Sequence, residues 1–429
     1  MRDPRFPYYH VGINSQQRQD RRWRKKAMEG SVSSKGASFE DLRRTTREIL
    51  PLVEAEADEG ERLYHLTDRL VAEFRRTGLY MLLTPKDLGG LEMPFVEAMQ
   101  LVEQVTYVDG SAGWCMMVEG VMGASLGSSL PDRGARTVFP NGADVTMAGN
   151  GVPRGFARPV DGGYQIRGHW AYGSGIYHAE WIHSGCFVMD GENMKFNADG
   201  APEIVLCHHP KSSIELKGNW DVLGLRGTGS YDYTLNDPEI FVPSYMTYMF
   251  DGTEPQRGGK QYGAGLIGLT SWGHTSWALG VGRRALDELA KLARGRADVF
   301  GKLCDSASFR QSFADAEAKY RSARAFVYAA WDALSERFAR GERPNLEEIA
   351  QIRLAMRHLH NVISEISTFA HKAARGASLR PGPLQRCYRD IHAGTQHLLL
   401  ADEIVQECGK VLLGATGPNA RWTMFGVKG

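Results

Sequence analysis

The chain has 429 residues, 42% of them hydrophobic, and a formal net charge of +1. That length can bury a large core and suggests two or three domains. A charge so near balance gives no reason to expect nucleic acid or a membrane as partner. Six cysteines without a CxxC pair favour reduced thiols and a cytoplasmic protein over a disulfide framework. No apolar run approaches the roughly 20 residues that span a bilayer, and the N-terminus lacks the apolar core of a signal peptide.

Residues 1–38 read as a basic tail or arm, with "RQDRRWRKKAMEGSVSSKG" charged and then rich in Ser and Gly. Order is expected from Ser38, which with Asp41 resembles a helix N-cap. Residues 39–145 form an N-terminal helical domain. Leu63, Leu66, Leu70 and Phe74 give one apolar stripe, stopped by Gly78. A second helix carries Val96, Met99, Val102 and Val105. A third, "SAGWCMMVEGVMGASLG", is rich in small residues and is expected to pack closely on its neighbours.

Residues 146–255 change character. Gly and Pro punctuate short apolar and β-branched runs such as "GGYQIRGHW", "WIHSGCFVM" and "YDYTLNDPEIFVP", which predicts a small antiparallel barrel or sandwich. Residues 256–429 return to helices. The stripes run through Trp277 to Leu289, Phe309 to Phe338, Ile349 to Ile366, and roughly Tyr388 to Leu413, a pattern expected of a four-helix bundle. The order α, β, α makes the chain α+β, and ligands favour the junctions between such regions.

Several chemistries find no support. Among thirteen histidines there is no HExxH and no accompanying Cys cluster; His358 and His360 diverge on a helix, so no metal site is expected. "GLRGTGS" has glycine-loop character but lies among strands with no helix following, which excludes a Rossmann or P-loop reading. No GxSxG elbow is present. One polar row remains: Arg386, Asp390 and His397 fall near one face of the last predicted helix. The residues alone leave His397 either a structural histidine satisfied by a neighbour or a partly desolvated acid–base group.

"GLYMLLTPKDLGGLEM", "GHWAYGSG" and "WDVLGLRGTGSYDYTLNDPEIFVP" resemble the acyl-CoA dehydrogenase superfamily over nearly the whole chain after the tail. "AGNGVPRGFARPVDGGYQIRGHWAYGSGIYHAEW", "PLQRCYRDIHAGTQH" and "GKVLLG" resemble its flavin-dependent monooxygenases, the oxygenase components of two-component systems. The resemblance implies a helical domain, a central antiparallel β-barrel and a C-terminal four-helix bundle. It implies that reduced FMN or FADH2, delivered by a separate NAD(P)H:flavin reductase, reacts with O2 to a C4a-(hydro)peroxyflavin that oxygenates a small organic substrate. It also implies a homotetramer. Ser174 and His397 take catalytic roles, Ser174 as a donor near flavin N5 and His397 in acid–base work helped by Asp390 one heptad earlier. Flavin is placed against Asn150, Trp170, Ser174, Gly175, Thr228 and Ser230, with Tyr172 and Trp181 as further aromatic wall. Arg294 or Arg296 is expected at the flavin phosphate, across a subunit boundary. The substrate pocket falls to Trp114, Glu119, Met122, Tyr172 and His178.

One departure stands out. Relatives place a histidine after the "SAGW" motif, where this chain has Met122. A site that ionises a phenol with two histidines is therefore in doubt, with Glu119 as a stand-in. The competing readings are an acyl-CoA dehydrogenase or related flavin oxidase, which needs a carboxylate base, and a non-catalytic flavin-binding scaffold. Glu403 and Glu407 on the last helix resemble solvated helix-face acids.

Overall fold

The computed structural model describes residues 38–428 apart from 199, 252–253, 296, 299–300 and 425, so the basic arm and Arg296 lie outside the described residues. The first helix, α1 (Phe39–Leu63), opens with a reciprocal capping box between Ser38 and Asp41. The expected continuous stripe is in fact two helices. Tyr64 turns left-handed at φ 59° and ends α1. Thr67 then caps α2 (Asp68–Thr77) by accepting from the Leu70 N–H, and Gly78, at φ 79°, closes it. A period of three to four residues survives a one-turn break, so the stripe alone did not reveal the corner.

Helices α3 (Phe95–Val108), α4 (Gly110–Ser129) and α5 (Asp132–Val138) follow. Asp109 caps α4 by accepting from the Ala112 N–H at 2.8 Å. Nearly every residue of α4 is buried, as its small residues predict. At Gly113 an added Cβ would come 2.7–2.8 Å from the Cβ and Cα of Thr106 on α3, so the two backbones approach as only glycine permits.

Among the described residues, nine strands occupy the middle of the chain: β1 (Met147–Val160), β2 (Gly163–Gly173), β3 (Trp181–Asp190), β4 (Asn193–Met194), β5 (Ile204–Pro210), β6 (Ile214–Leu216), β7 (Tyr231–Leu235), β8 (Ile240–Pro243) and β9 (Thr247–Met249). They pair in the order β6-β7-β2-β1-β3-β5-β9, with β4 on β3 and β8 on β2. The expected closed antiparallel barrel is not what this pairing shows. The path is open, and β1 with β3 is a parallel pair. The reason is local. A tight turn makes β1 and β2 a hairpin, whereas the longer loop 174–180 lets β3 return on the far side of β1, in the same direction. Glu119 of α4 pins the start of β1, its carboxylate accepting from the Met147 N–H at 2.9 and 3.2 Å.

Inside the sheet three neutral histidines form a polar core. His208 Nδ1–H donates to the Met246 carbonyl at 3.0 Å, so its Nε2 accepts from His183 Nδ1–H at 2.8 Å. His209 bonds Ser184 and Ser213. Burial pushes all three down, His208 to about 4 and His209 to about 3.

The C-terminal part comprises α6 (Gly265–Gly295), α7 (Ala307–Ala339), α8 (Leu346–Ala374), α9 (Pro383–Gly394) and α10 (Asp402–Leu412). The fourth long helix expected from Tyr388 to Leu413 is interrupted. α9 ends at Gly394, and a short 3₁₀ turn, Leu398–Leu400, precedes α10. α6 is the central rod, packed on α3, α4, α8 and α9, with Trp272 and Trp277 fully buried. One apolar core runs from α1 through the sheet to α9. No helix among the described residues is long and apolar enough to cross a membrane.

Two outcomes follow from this packing. Gly113→Ala should overpack the α3–α4 contact and cost about 1–3 kcal/mol. Gly409→Ala, in α10 where an added Cβ meets nothing within 4 Å, should leave melting unchanged or slightly raised; equal melting of both variants would contradict the packing. The sheet histidines also set an acid limit. Their folded values lie below the ordinary 6.5, so below pH 6.5 the unfolded chain binds protons that the folded one refuses. Stability is therefore complete above that pH and falls on acidification, by about 1.4 kcal/mol per pH unit for each histidine. Calorimetric melting between pH 7.5 and 5 should show the decline; a flat profile would refute it.

Candidate active site

The end of β2 and the loop after it have two left-handed residues, Tyr172 at φ 63° in the strand and Gly175 at φ 75° in the loop. Such a conformation is costly for an aromatic residue. The β2–β7 register shifts between Trp170 and Gly173, and Asp232 holds the bulge by accepting from the Tyr172 N–H at 3.2 Å. The result turns Ser174 inward. Its Oγ accepts from Trp114 Nε1–H at 2.9 Å and lies 2.7 Å from Ser230 Oγ. Ser230 Oγ lies 2.7 Å from Thr228 Oγ1, which donates to the Leu225 carbonyl at 2.8 Å. The Gly175 N–H closes the loop onto the Thr228 carbonyl at 2.8 Å. A Cβ on Gly175 would meet nothing within 4 Å, so the loop has an open side beside Ser174.

Trp114, from α4, joins this loop to the C-terminal helices. Its ring stands edge-on to His274 (centroids 4.9 Å), Trp277 (5.0 Å) and His397 (6.3 Å). His274 and His397 are 4.1 Å apart, and His360 lies 5.9 Å from both His274 and Trp277. Burial pushes all three imidazoles down, His397 and His360 to about 4, and the two neighbours depress His274 further. The cluster is therefore uncharged at neutral pH. Among the described residues no group of three or more His, Cys, Asp or Glu is arranged to hold a metal ion.

Tautomers follow from the partners. His397 is the N-cap of the 3₁₀ turn, and its Nδ1 accepts from the Leu399 N–H at 3.3 Å. The proton of the neutral ring is then on Nε2, which makes that nitrogen a donor. His360 Nδ1–H donates to the Met356 carbonyl at 2.9 Å, leaving Nε2 buried without a partner; His274 Nδ1 is likewise unpartnered.

Six of the residues singled out from sequence meet here: Ser174, Gly175, Thr228, Ser230, Trp114 and His397. Others do not. Trp170 is fully buried, donates to the Gly185 carbonyl and stacks on Tyr233; it is sheet core, not a cofactor wall, because β2 alternation turns it inward. Trp181 opens β3 opposite Met147. Asn150 uses both ends of its amide on Ala171 and Val152 backbone. Tyr172 is 60% exposed and packs on Trp220. His178 bonds Asp68 at 3.1 Å, bracing the loop against α2. Glu119 is occupied by Met147, and burial holds its carboxyl well above the usual range. Met122 is buried two turns beyond Trp114. Asp390 does not orient His397. It sits with Asp109 and Arg386 and accepts from the Leu225 N–H at 2.6 Å, because α9 ends before His397 and no shared helical face exists. Arg294 is exposed in the last turn of α6, about 30 Å along that helix from His274 at 1.5 Å per residue.

His274 was missed from sequence, and His360 was weighed only as a metal ligand. The available signal was "WGHTSW", a histidine between two core tryptophans. It places a second imidazole beside His397.

Residues 38–128 match the family model of the acyl-CoA dehydrogenase N-terminal domain, and residues 272–402 that of the C-terminal domain. Together they take in about half of the chain. Indole-3-acetate monooxygenase of Pseudomonas putida is 29% identical over 398 residues, 91% of this chain and 96% of that protein. The oxygenase subunit HsaA of a flavin-dependent monooxygenase from Rhodococcus jostii is 28% identical over 370 residues, 81% of this chain and 92% of its own length. Among solved structures, 3-HSA hydroxylase from Rhodococcus sp. RHA1 superimposes with a TM-score of 0.79 at 24% identity, over 87% of this chain and 96% of that one. The chain belongs to the acyl-CoA dehydrogenase superfamily, and its relatives there include flavin-dependent monooxygenases.

Proposed function

We propose that the chain is the oxygenase component of a two-component flavin-dependent monooxygenase, taking reduced flavin from a separate NAD(P)H:flavin reductase. The observation that carries this is the convergence of Ser174, Trp114 and His397, from three separate segments, at one buried indole ring, with open space beside Gly175. These residues fit a flat heteroaromatic ring with a polar edge: an indole wall, a hydroxyl and an imidazole N–H. Bound reduced flavin supplies the electrons that place one atom of O2 in the substrate and the other in water. Ser174 and Trp114 would hold it, with His397 at its reacting edge, and the substrate is a small aromatic compound, the kind of molecule that indole-3-acetate monooxygenase and the resorcinol hydroxylase of Rhizobium sp. are named for. Reduced FMN is the cofactor we favour; relatives of this fold have been solved with FMN and with FADH2.

The chain's own residues do three things there. Trp114 and the uncharged imidazoles exclude water and charge, which keeps a reactive oxygen species from premature loss. His397 donates from Nε2; to act as a base it must first release the Leu399 N–H and shift its proton to Nδ1. Ser174 fixes the ring edge. The dehydrogenase alternative needs a carboxylate at this cluster. Glu119 is taken by Met147, Glu407 accepts from the Val427 N–H at 2.7 Å, and Glu403 is exposed on α10.

Arg294 of one chain is too far from this pocket to meet a phosphate bound with it. Its proposed role therefore requires a second copy, and a cytoplasmic homotetramer that shares its flavin sites is the assembly we favour.

His397→Ala should lower coupled product by roughly 10²–10⁴-fold, with hydrogen peroxide released instead, while flavin binding persists. Turnover equal to wild type, at matched folded protein, would remove His397 from the chemistry. Shared sites predict complementation. His397→Ala and Arg294→Ala, each inactive alone, should regain activity when refolded together; a monomer by sedimentation that still binds reduced flavin would refute the shared site. Stopped-flow mixing with reduced FMN, O2 and candidate aromatics tests the function itself, and absence of any coupled product would overturn it.

A further inference from the structure

The hydroxyls behind Ser174 have a forced direction. A carbonyl cannot donate, so the 2.8 Å contact between Thr228 Oγ1 and the Leu225 oxygen contains the only proton Thr228 has. Thr228 must then accept from Ser230 across 2.7 Å, which commits the Ser230 proton. Ser230 in turn must accept from Ser174 across 2.7 Å, which commits the Ser174 proton. Trp114 Nε1 is a donor only, and its N–H fills one lone pair of Ser174 Oγ at 2.9 Å. The chain runs Trp114 → Ser174 → Ser230 → Thr228 → Leu225, all of it buried. What Ser174 retains for a ligand is a lone pair, not a proton. This reverses the expectation that Ser174 is a donor.

The remote end of the chain is anchored as well. Leu225 is left-handed at φ 57°. Its carbonyl also accepts from Trp220 Nε1–H at 3.0 Å, and its N–H is held by Asp390 at 2.6 Å. Gly224 lets the α9 backbone approach, since a Cβ there would lie 2.1 Å from the Arg389 oxygen. The Leu225 carbonyl, bonded by both the Trp220 indole and the Thr228 hydroxyl, presents an acceptor to Thr228, and that fixes the polarity.

We propose that Ser230 and Thr228 are positioning residues that make Ser174 an acceptor and thereby select the reduced form of the flavin. The inference rests on the functional reading above. A flavin ring nitrogen that carries a hydrogen only after reduction is a donor in the reduced molecule and an acceptor in the oxidised one. A lone pair on Ser174 bonds the first and repels the second. Discrimination thus comes from the direction of three hydroxyl protons rather than from shape.

The test compares wild type with Ser230→Ala, Thr228→Val and Thr228→Ser. Binding of oxidised FMN, and of reduced FMN under anaerobic conditions, is measured for each, with melting temperature as the folding control. Ser230→Ala and Thr228→Val free the Ser174 proton, and the ratio of reduced to oxidised affinity should fall roughly tenfold, one hydrogen bond being lost in one state and gained in the other. Thr228→Ser keeps the donor to Leu225 and should retain the wild-type ratio. Unchanged ratios in all three variants, in a wild type that prefers reduced FMN, would overturn the inference. Neutron diffraction of the flavin-free protein reads the polarity directly. A deuteron on Ser174 directed at Ser230 supports the chain, and one directed at the open side of the loop refutes it. A wild type that binds neither flavin form sinks the functional reading, while the deuteron still decides the polarity.

Discussion

Leu225 is the joint on which the site depends. Its N–H is bound by Asp390 of α9, and its carbonyl receives the Thr228 hydroxyl and the Trp220 indole. A left-handed leucine is unfavourable alone, and it persists because partners from the helical end and the sheet end hold it together. Asp390 is itself confined. Buried beside Asp109, its carboxyl is pushed up to about 7, and Arg386 reaches from α9 toward Asp58, Glu61 and Asp109. Buried charge clusters of this kind seldom add net stability, but they tolerate few alternative arrangements. The charged network thus fixes where α9 meets α1 and α4, and so where Leu225 sits.

Charge is kept on that side of the joint. On the other side lie Trp114, Trp277 and three imidazoles, all neutral at ordinary pH because burial opposes their protonation. The charged groups nearest by chain are already committed: Arg357 bonds the Leu400 carbonyl and Asp402. Oriented hydroxyls and uncharged rings act on a neighbouring group through fixed dipoles rather than through mobile ions or water. The fold reaches this by bringing α4, the β2 loop and the 397–400 turn to one indole ring.

The two buried unpartnered nitrogens, His274 Nδ1 and His360 Nε2, belong to the same design. They lie behind His397 and keep the interior polar without adding charge.

Much of this was legible in the chain alone. Capping chemistry at Ser38, the glycine stop at Gly78, the close-packed "SAGW" helix, the shift from helical to strand patterning and back, and the family resemblance all follow from local composition and order. The motifs also named Ser174, Thr228, Ser230, Trp114 and His397, which the fold brings together. What the sequence could not carry was direction and long-range proximity. It joined α1 to α2 and α9 to α10, because an apolar period continues across a one-turn break. It turned Trp170 toward the ligand and tied Asp390 to His397, because spacing in sequence does not say which face a bulged strand presents or where a helix stops. It passed over His274, one histidine among thirteen, whose meaning depends on a ring 4.1 Å away but more than a hundred residues distant in sequence. The polarity of the Ser174 hydroxyl is decided only by tertiary structure, since it is set by a carbonyl fifty residues away in sequence that α9 holds in place.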